Sequence, residues 1–272
     1  MTNPLFDSLF APQDSNEAVF LHLSGGSALS HSAFAARAAK IAGALLAEGL
    51  KAGDRLACQV QKSPDALALY AACARAGIVL LPLNTAYTPR EIAYFVRDAE
   101  AAMLVCDPAD AAVLGTQGDG TLAQAADAAT QPDPVARSGY DLAAFLYTSG
   151  TTGRSKGAML TQHNLLSNAL SLRDAWAFTA QDILIHALPI FHTHGLFGAV
   201  NITLVAGGAM IWQPKFDAAD VMAVLPQAIT MMGVPTFYTR LLAEPALDKN
   251  AVSYIRLFVS GSAPMLPETH AQ

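Results

Sequence analysis

The sequence predicts an α/β protein of layered, mostly parallel sheets covered by helices. Short apolar runs of strand length alternate with helical patterns along all 272 residues. The segments between those runs are long enough for crossover helices, which join parallel strands. Hydrophobic residues make up 53% of the chain and charged residues 14%, which excludes a disordered chain and supplies enough apolar surface to bury sheets on both faces. The length fits one large domain or two modest ones.

The elements follow in order. Residues 18–23 alternate as a strand, and Ser24-Gly25-Gly26-Ser27 turns the chain into a hairpin. Ser30 is placed to cap a helix running to Glu48, with Phe34, Ala38, Ile41, Leu45 and Leu46 on one face and a stop at Gly49. Leu56 to Val60 reads as a strand. Ser63-Pro64-Asp65 then supplies an N-cap, a first-position proline and a first-turn acid for a helix ending near Gly77. Ile78 to Leu81 is the next strand, Thr88-Pro89-Arg90-Glu91 is a capping box, and Met103 to Cys106 is a further strand. Residues 107–140, rich in Ala, Gly, Asp, Gln and Pro, read as the least structured stretch. A second series of strands follows at Ala143–Tyr147, Ile183–Ala187, Ala209–Trp212, Ile229–Met232 and Leu257–Val259. The expected organisation is a first subdomain over residues 1–140 and a second over 141–272.

With 16 Lys and Arg against 22 Asp and Glu, the formal charge is −6. That balance is poor for gripping a nucleic-acid backbone, so no nucleic-acid partner is expected. Cys58, Cys73 and Cys106 lie in apolar stretches without zinc-like spacing and read as reduced core thiols. The N-terminus shows neither a basic segment leading into an apolar run nor Arg-rich transit character, which points to the cytoplasm. Ile183 to Pro214 contains no Asp, Glu, Lys or Arg. Pro189, His186, His192 and His194 and several glycines interrupt it, so a buried core segment is expected in place of a membrane span.

The most informative segment is Tyr147-Thr148-Ser149-Gly150-Thr151-Thr152-Gly153-Arg154-Ser155-Lys156-Gly157. Glycines let backbone N–H groups approach an anion, hydroxyls donate to phosphate oxygens, and a lysine adds a compact charge. The spacing is not that of a Walker A loop, and Ala158-Met159-Leu160 looks like a strand where a P-loop would open a helix.

These residues resemble the signature phosphate loop of the adenylate-forming superfamily of acyl-CoA synthetases, luciferases and adenylation domains. Leu188-Pro189-Ile190-Phe191-His192-Thr193-His194-Gly195 resembles its next core motif, and Val259-Ser260-Gly261-Ser262-Ala263-Pro264 the strand end beside adenine and acyl group. The resemblance implies the superfamily's large N-terminal domain and an ATP-dependent acid–CoA ligase acting through an acyl-adenylate. Thr148, Ser149, Gly150, Thr151, Thr152, Gly153 and Lys156 would bind the β/γ-phosphates with Mg²⁺ sharing the charge. Gly261, Ser262, Ala263 and Pro264 would complete the ATP site, with CoA as co-substrate. Lys156 and His192 carry the catalytic expectation, His192 at the mouth through which the carboxylate enters.

HALPIFHTHGLF, MGVPTFYTRLL and RLFVSGSAPMLPETH together are closely similar to the malonate-activating members. That implies malonate or methylmalonate as the acid, bound by His192, Arg240, Ser260 and Ser262, with Arg240 on a distal carboxylate. Other readings stay open here: another acid, a helical Arg240–Glu244 pair, an HxH metal pair, or a non-catalytic nucleotide-binding chain. The resemblance ends before the superfamily's ribose-binding Asp, metal carboxylate and C-terminal lid. An incomplete N-terminal part, inactive alone and prone to self-association, is therefore expected.

Overall fold

The computed structural model describes residues 2–106, 117–148 and 156–272, with no side-chain description for 117–121 and Thr148. Along the chain the strands are β1 (Val19–His22), β2 (Ala28–Ser30), β3 (Arg55–Gln59), β4 (Val79–Pro82), β5 (Met103–Cys106) and β6 (Gln117–Gly118). They continue with β7 (Leu142–Thr148), β8 (Lys156–Thr161), β9 (Ile183–His186), β10 (Ala209–Trp212), β11 (Thr230–Gly233) and β12 (Leu257–Ser260). The chain divides into two units, residues 1–16 with 32–167, and residues 17–31 with 168–272.

In the first unit a six-stranded sheet runs β6-β5-β3-β4-β7-β8, parallel except for the antiparallel β7–β8 pair. The crossover helix Pro64–Ala76 begins where Ser63 Oγ accepts the Ala66 N–H at 3.0 Å and ends at Gly77, whose φ of +70° lies in the left-handed region that favours glycine. Thr88 and Glu91 form the capping box of helix Pro89–Asp98. Leu56, Leu67, Leu81 and Leu104 are buried, as are the thiols of Cys58, Cys73 and Cys106.

In the second unit the order is β12-β11-β9-β10-β1-β2, parallel except for the β1–β2 hairpin. Ile185, Ile211, Val221 and Met231 form its core. Buried Asp182 accepts Arg256 Nε at 2.9 Å and the Thr179 N–H at 2.8 Å, tying the start of β12 to that of β9.

Two expectations need correction. The boundary at 140/141 fails because β7 pairs with β4 in the first sheet, while the hairpin of residues 17–31 joins the second through β1–β10. The stretch 107–140 is also less loop-like than its composition suggests. Residues 119–128 form a helix after β6, and Val135 is fixed by its N–H to Arg75 O (2.8 Å) and by Asn3 Nδ2 to its own carbonyl (2.9 Å). Ile183 to Pro214 is largely core, and no helix among the described residues is long and apolar enough to cross a membrane.

His31, fully buried, donates Nε2–H to the Gly208 carbonyl at 3.0 Å and packs 4.6 Å from the Phe20 ring. Burial lowers its pKa against the opposing pull of that carbonyl, and desolvation also lowers those of His192 and His194. A histidine kept neutral in the fold takes up its proton on unfolding. Its stabilisation is complete above 6.5 and declines as pH falls below that value. Urea midpoints should therefore drop between about pH 7.5 and 5.5, less steeply in His31→Gln. A flat profile in the parent chain contradicts the assignment.

Candidate functional site

Parallel strands deliver their following loops to one rim of a sheet, where α/β proteins bind ligands. On the first unit's rim, Thr148 ends β7 and Lys156 opens β8, and the two are register partners. The connecting residues Ser149, Gly150, Thr151, Thr152 and Gly153, with Arg154 and Ser155, lie outside the described residues. Lys156 is exposed at the loop's base, and the expected strand at 158–160 is present.

The base is built stiffly. Tyr147 OH donates to Asp98 Oδ2 at 2.5 Å, and its ring lies 4.4 Å from that of Phe95. Burial, followed by the hydrogen bond to Asp98 and then its charge, pushes the Tyr147 phenol above its ordinary range. A Cβ at Gly157 would enter the Phe145 ring, so any larger residue there has to displace that ring. Gln59 steadies the neighbouring loop, donating Nε2–H to the carbonyls of Asn84 and Tyr87 at 3.0 Å each. The sequence reading missed Asp98. Its signal was an acid at the end of a helix, where the helix dipole disfavours negative charge.

On the second unit's rim, three parallel strands contribute. After β9 the chain turns through Pro189 into a π-helix, His194–Val200, a form often found at functional sites. Buried His186 holds that turn, with Nε2 3.0 Å from the Gly195 carbonyl and its ring stacked 4.7 Å from Trp212. His192 is exposed on the turn, its ring 4.6 Å from Phe191. It is therefore not on a strand alternating with His194, as an HxH metal pair would need. Among the described residues no group of three His, Cys, Asp or Glu could hold a metal.

His194, half-buried, points to the loop after β12, with Nδ1 3.2 Å from Ser262 Oγ. Gly261 packs so closely that a Cβ would lie 3.2 Å from the His194 ring, and Ser262 adopts φ +68°. A serine held in the left-handed region marks local strain. The histidine joined to the Ser262 loop is thus His194. Ser260 pairs with Gly233 in the ladder, and Ser260, Ala263 and Pro264 are exposed. Desolvation favours the neutral form of both His192 and His194, so their nitrogens can accept as well as donate hydrogen bonds.

The third contribution follows β11. Pro235 opens the helix Pro235–Leu242 as expected, and Tyr238 OH donates to the Val259 carbonyl at 2.6 Å, fixing that helix to β12. Arg240 is exposed near its end, with its guanidinium carbon 4.9 Å from the Phe216 ring centroid. Among the described residues it forms no ion pair with Glu244 and no hydrogen bond to His192 or Ser262. Phe216 was also missed. It lies far from Arg240 in sequence, so no spacing signalled it.

The family model described as AMP-binding enzyme matches residues 10–272. MatB from Rhodopseudomonas palustris superposes with a TM-score of 0.94 at 49% identity, covering 100% of this chain and 57% of that one, in an apo and an ATP-bound structure. A feruloyl-CoA synthase from Amycolatopsis is 33% identical over 89% of this chain and 50% of its own length. The mitochondrial malonate–CoA ligase of Mus musculus is 32% identical over 70% of this chain and 37% of its own. The chain therefore spans about half the length of the curated relatives it matches.

Proposed function

Because the chain belongs to the AMP-binding enzyme family, we propose that it carries the nucleotide- and acid-binding part of an ATP-dependent acid–CoA ligase whose acid is malonate or methylmalonate, working in the cytoplasm. The observation that carries this reading is the pairing of Thr148 with Lys156 at the ligand rim of the first sheet. It puts a cation and a strand end at the base of a segment containing five hydroxyls, from Thr148, Ser149, Thr151, Thr152 and Ser155.

In the proposed reaction a carboxylate oxygen attacks the α-phosphorus of ATP, pyrophosphate leaves, and an acyl-adenylate forms. The CoA thiol then attacks the acyl carbon and AMP departs. No side-chain nucleophile is needed, and catalysis is positioning plus charge neutralisation. Residues 148–153 and Lys156 take the β/γ-phosphates. Gly261, Ser262, Ala263 and Pro264 adjoin the adenine, and Mg²⁺ arrives with ATP as part of the substrate. His192, Ser260 and Ser262 line the carboxylate's path. Arg240 takes the distal carboxylate, since a guanidinium fork matches one in two parallel bonds.

Malonate is favoured by the identity to a malonate–CoA ligase and by an Arg240 that has no carboxylate partner among the described residues. The feruloyl-CoA synthase identity favours an aryl acid instead. Titration calorimetry with Mg²⁺–ATP and AMP, followed by ligand-observed NMR with malonate, methylmalonate, propionate and ferulate, separates the two. Binding of ATP, with both dicarboxylates ahead of propionate and ferulate, is expected. Ferulate ahead of the dicarboxylates transfers the assignment to an aryl acid, and no ATP binding overturns the ligase reading.

A further inference from the structure

We infer that Phe216 is a specificity-determining residue: its ring sets the guanidinium of Arg240 and so selects dicarboxylic over monocarboxylic acids. This rests on the assignment of Arg240 to a distal carboxylate and adds what holds that side chain in place. An exposed arginine has many rotamers, and each must be surrendered when an anion binds. Arg240 instead lies over the Phe216 ring, 4.9 Å from its centroid, close enough for a cation–π attraction.

Phe216 is itself held, stacked on Phe237 with centroids 3.9 Å apart and planes 11° apart. Phe237 sits against Gly233, where a Cβ would lie 3.0 Å from the ring. The support therefore runs from the end of β11 through two rings to the cation. Attraction to a π-face uses no carboxylate acceptor. The N–H fork remains available to an incoming acid, which an ion pair with Glu244 would have consumed. A bare methyl group in place of the distal carboxylate gains nothing from the arrangement.

The test is an NMR titration of the chain with malonate and with propionate, for the parent, Phe216→Leu, Phe216→Tyr and Arg240→Ala. Phe216→Leu should weaken malonate about three- to fivefold, leave propionate unchanged, and remove the ring-current shift of the Arg240 Nε–H resonance measured without ligand. Phe216→Tyr, which keeps the ring, should keep both the malonate preference and the shift; a purely packing role gives no such ring-dependent rescue. Arg240→Ala should cost malonate at least about tenfold.

Loss of malonate in Arg240→Ala with none in Phe216→Leu overturns the role of Phe216 alone. No malonate preference in the parent, or none lost in Arg240→Ala, overturns the Arg240 assignment and this inference with it. Equal loss of both acids in Phe216→Leu, or a Tyr variant no better than Leu, assigns the ring to packing and rejects the inference.

Discussion

Gly195→Val should lower the stability of the chain by about 3 kcal/mol, seen as a reduced urea midpoint. The turn after β9 folds so tightly that a Cβ at 195 would run into the Pro189 carbonyl oxygen, with the carbonyl carbon at 3.0 Å and Leu188 Cβ at 3.1 Å. These are main-chain and buried neighbours that cannot swing aside. His186 also grips the Gly195 carbonyl, so the turn cannot relax without breaking a buried hydrogen bond. Gly198→Ala, three residues on, is the control. Its nearest neighbours would be 3.6 and 3.8 Å away, and alanine is the better helix former, so its cost should stay below about 1 kcal/mol. Equal stability of the two variants would mean that the turn is not packed as described.

Lys156→Ala should weaken Mg²⁺–ATP binding by about 10- to 100-fold while leaving AMP binding and the thermal midpoint unchanged. Lys156 is exposed at the first position of β8, so its removal opens no cavity. Its charge would serve the β/γ-phosphates, which AMP lacks. Lys156→Arg should restore part of the affinity, since charge is kept but the compact ammonium is exchanged for a planar fork. Parallel losses for ATP and AMP in calorimetry would move Lys156 away from the terminal phosphates, and no loss for either would remove it from the site.

The strands and caps were legible because they are local. The box at Thr88–Glu91 and the stop at Gly77 follow from neighbouring residues alone. Strand partners were not, since an apolar run says nothing about which other run it joins. The low-complexity stretch before residue 140 therefore looked like a divider, although β7 and β8 complete the first sheet beyond it. At the candidate site the motifs were found, but their mutual contacts depend on folding. His192 and His194 are equivalent in a string of letters, and only the turn into the π-helix gives the Ser262 contact to the second. Phe216 and Asp98 escaped because each acts through a partner brought close by the sheet.

The interleaved path of the chain sets a timetable for its own synthesis. Leu21 pairs with Met210, so the early hairpin leaves the ribosome with its permanent neighbour still untranslated. At bacterial to eukaryotic elongation speeds that wait is about ten to forty seconds. The first sheet can close meanwhile, leaving residues 17–31 looped out, and a nascent-chain arrest series should find this hairpin protease-sensitive until β10 emerges.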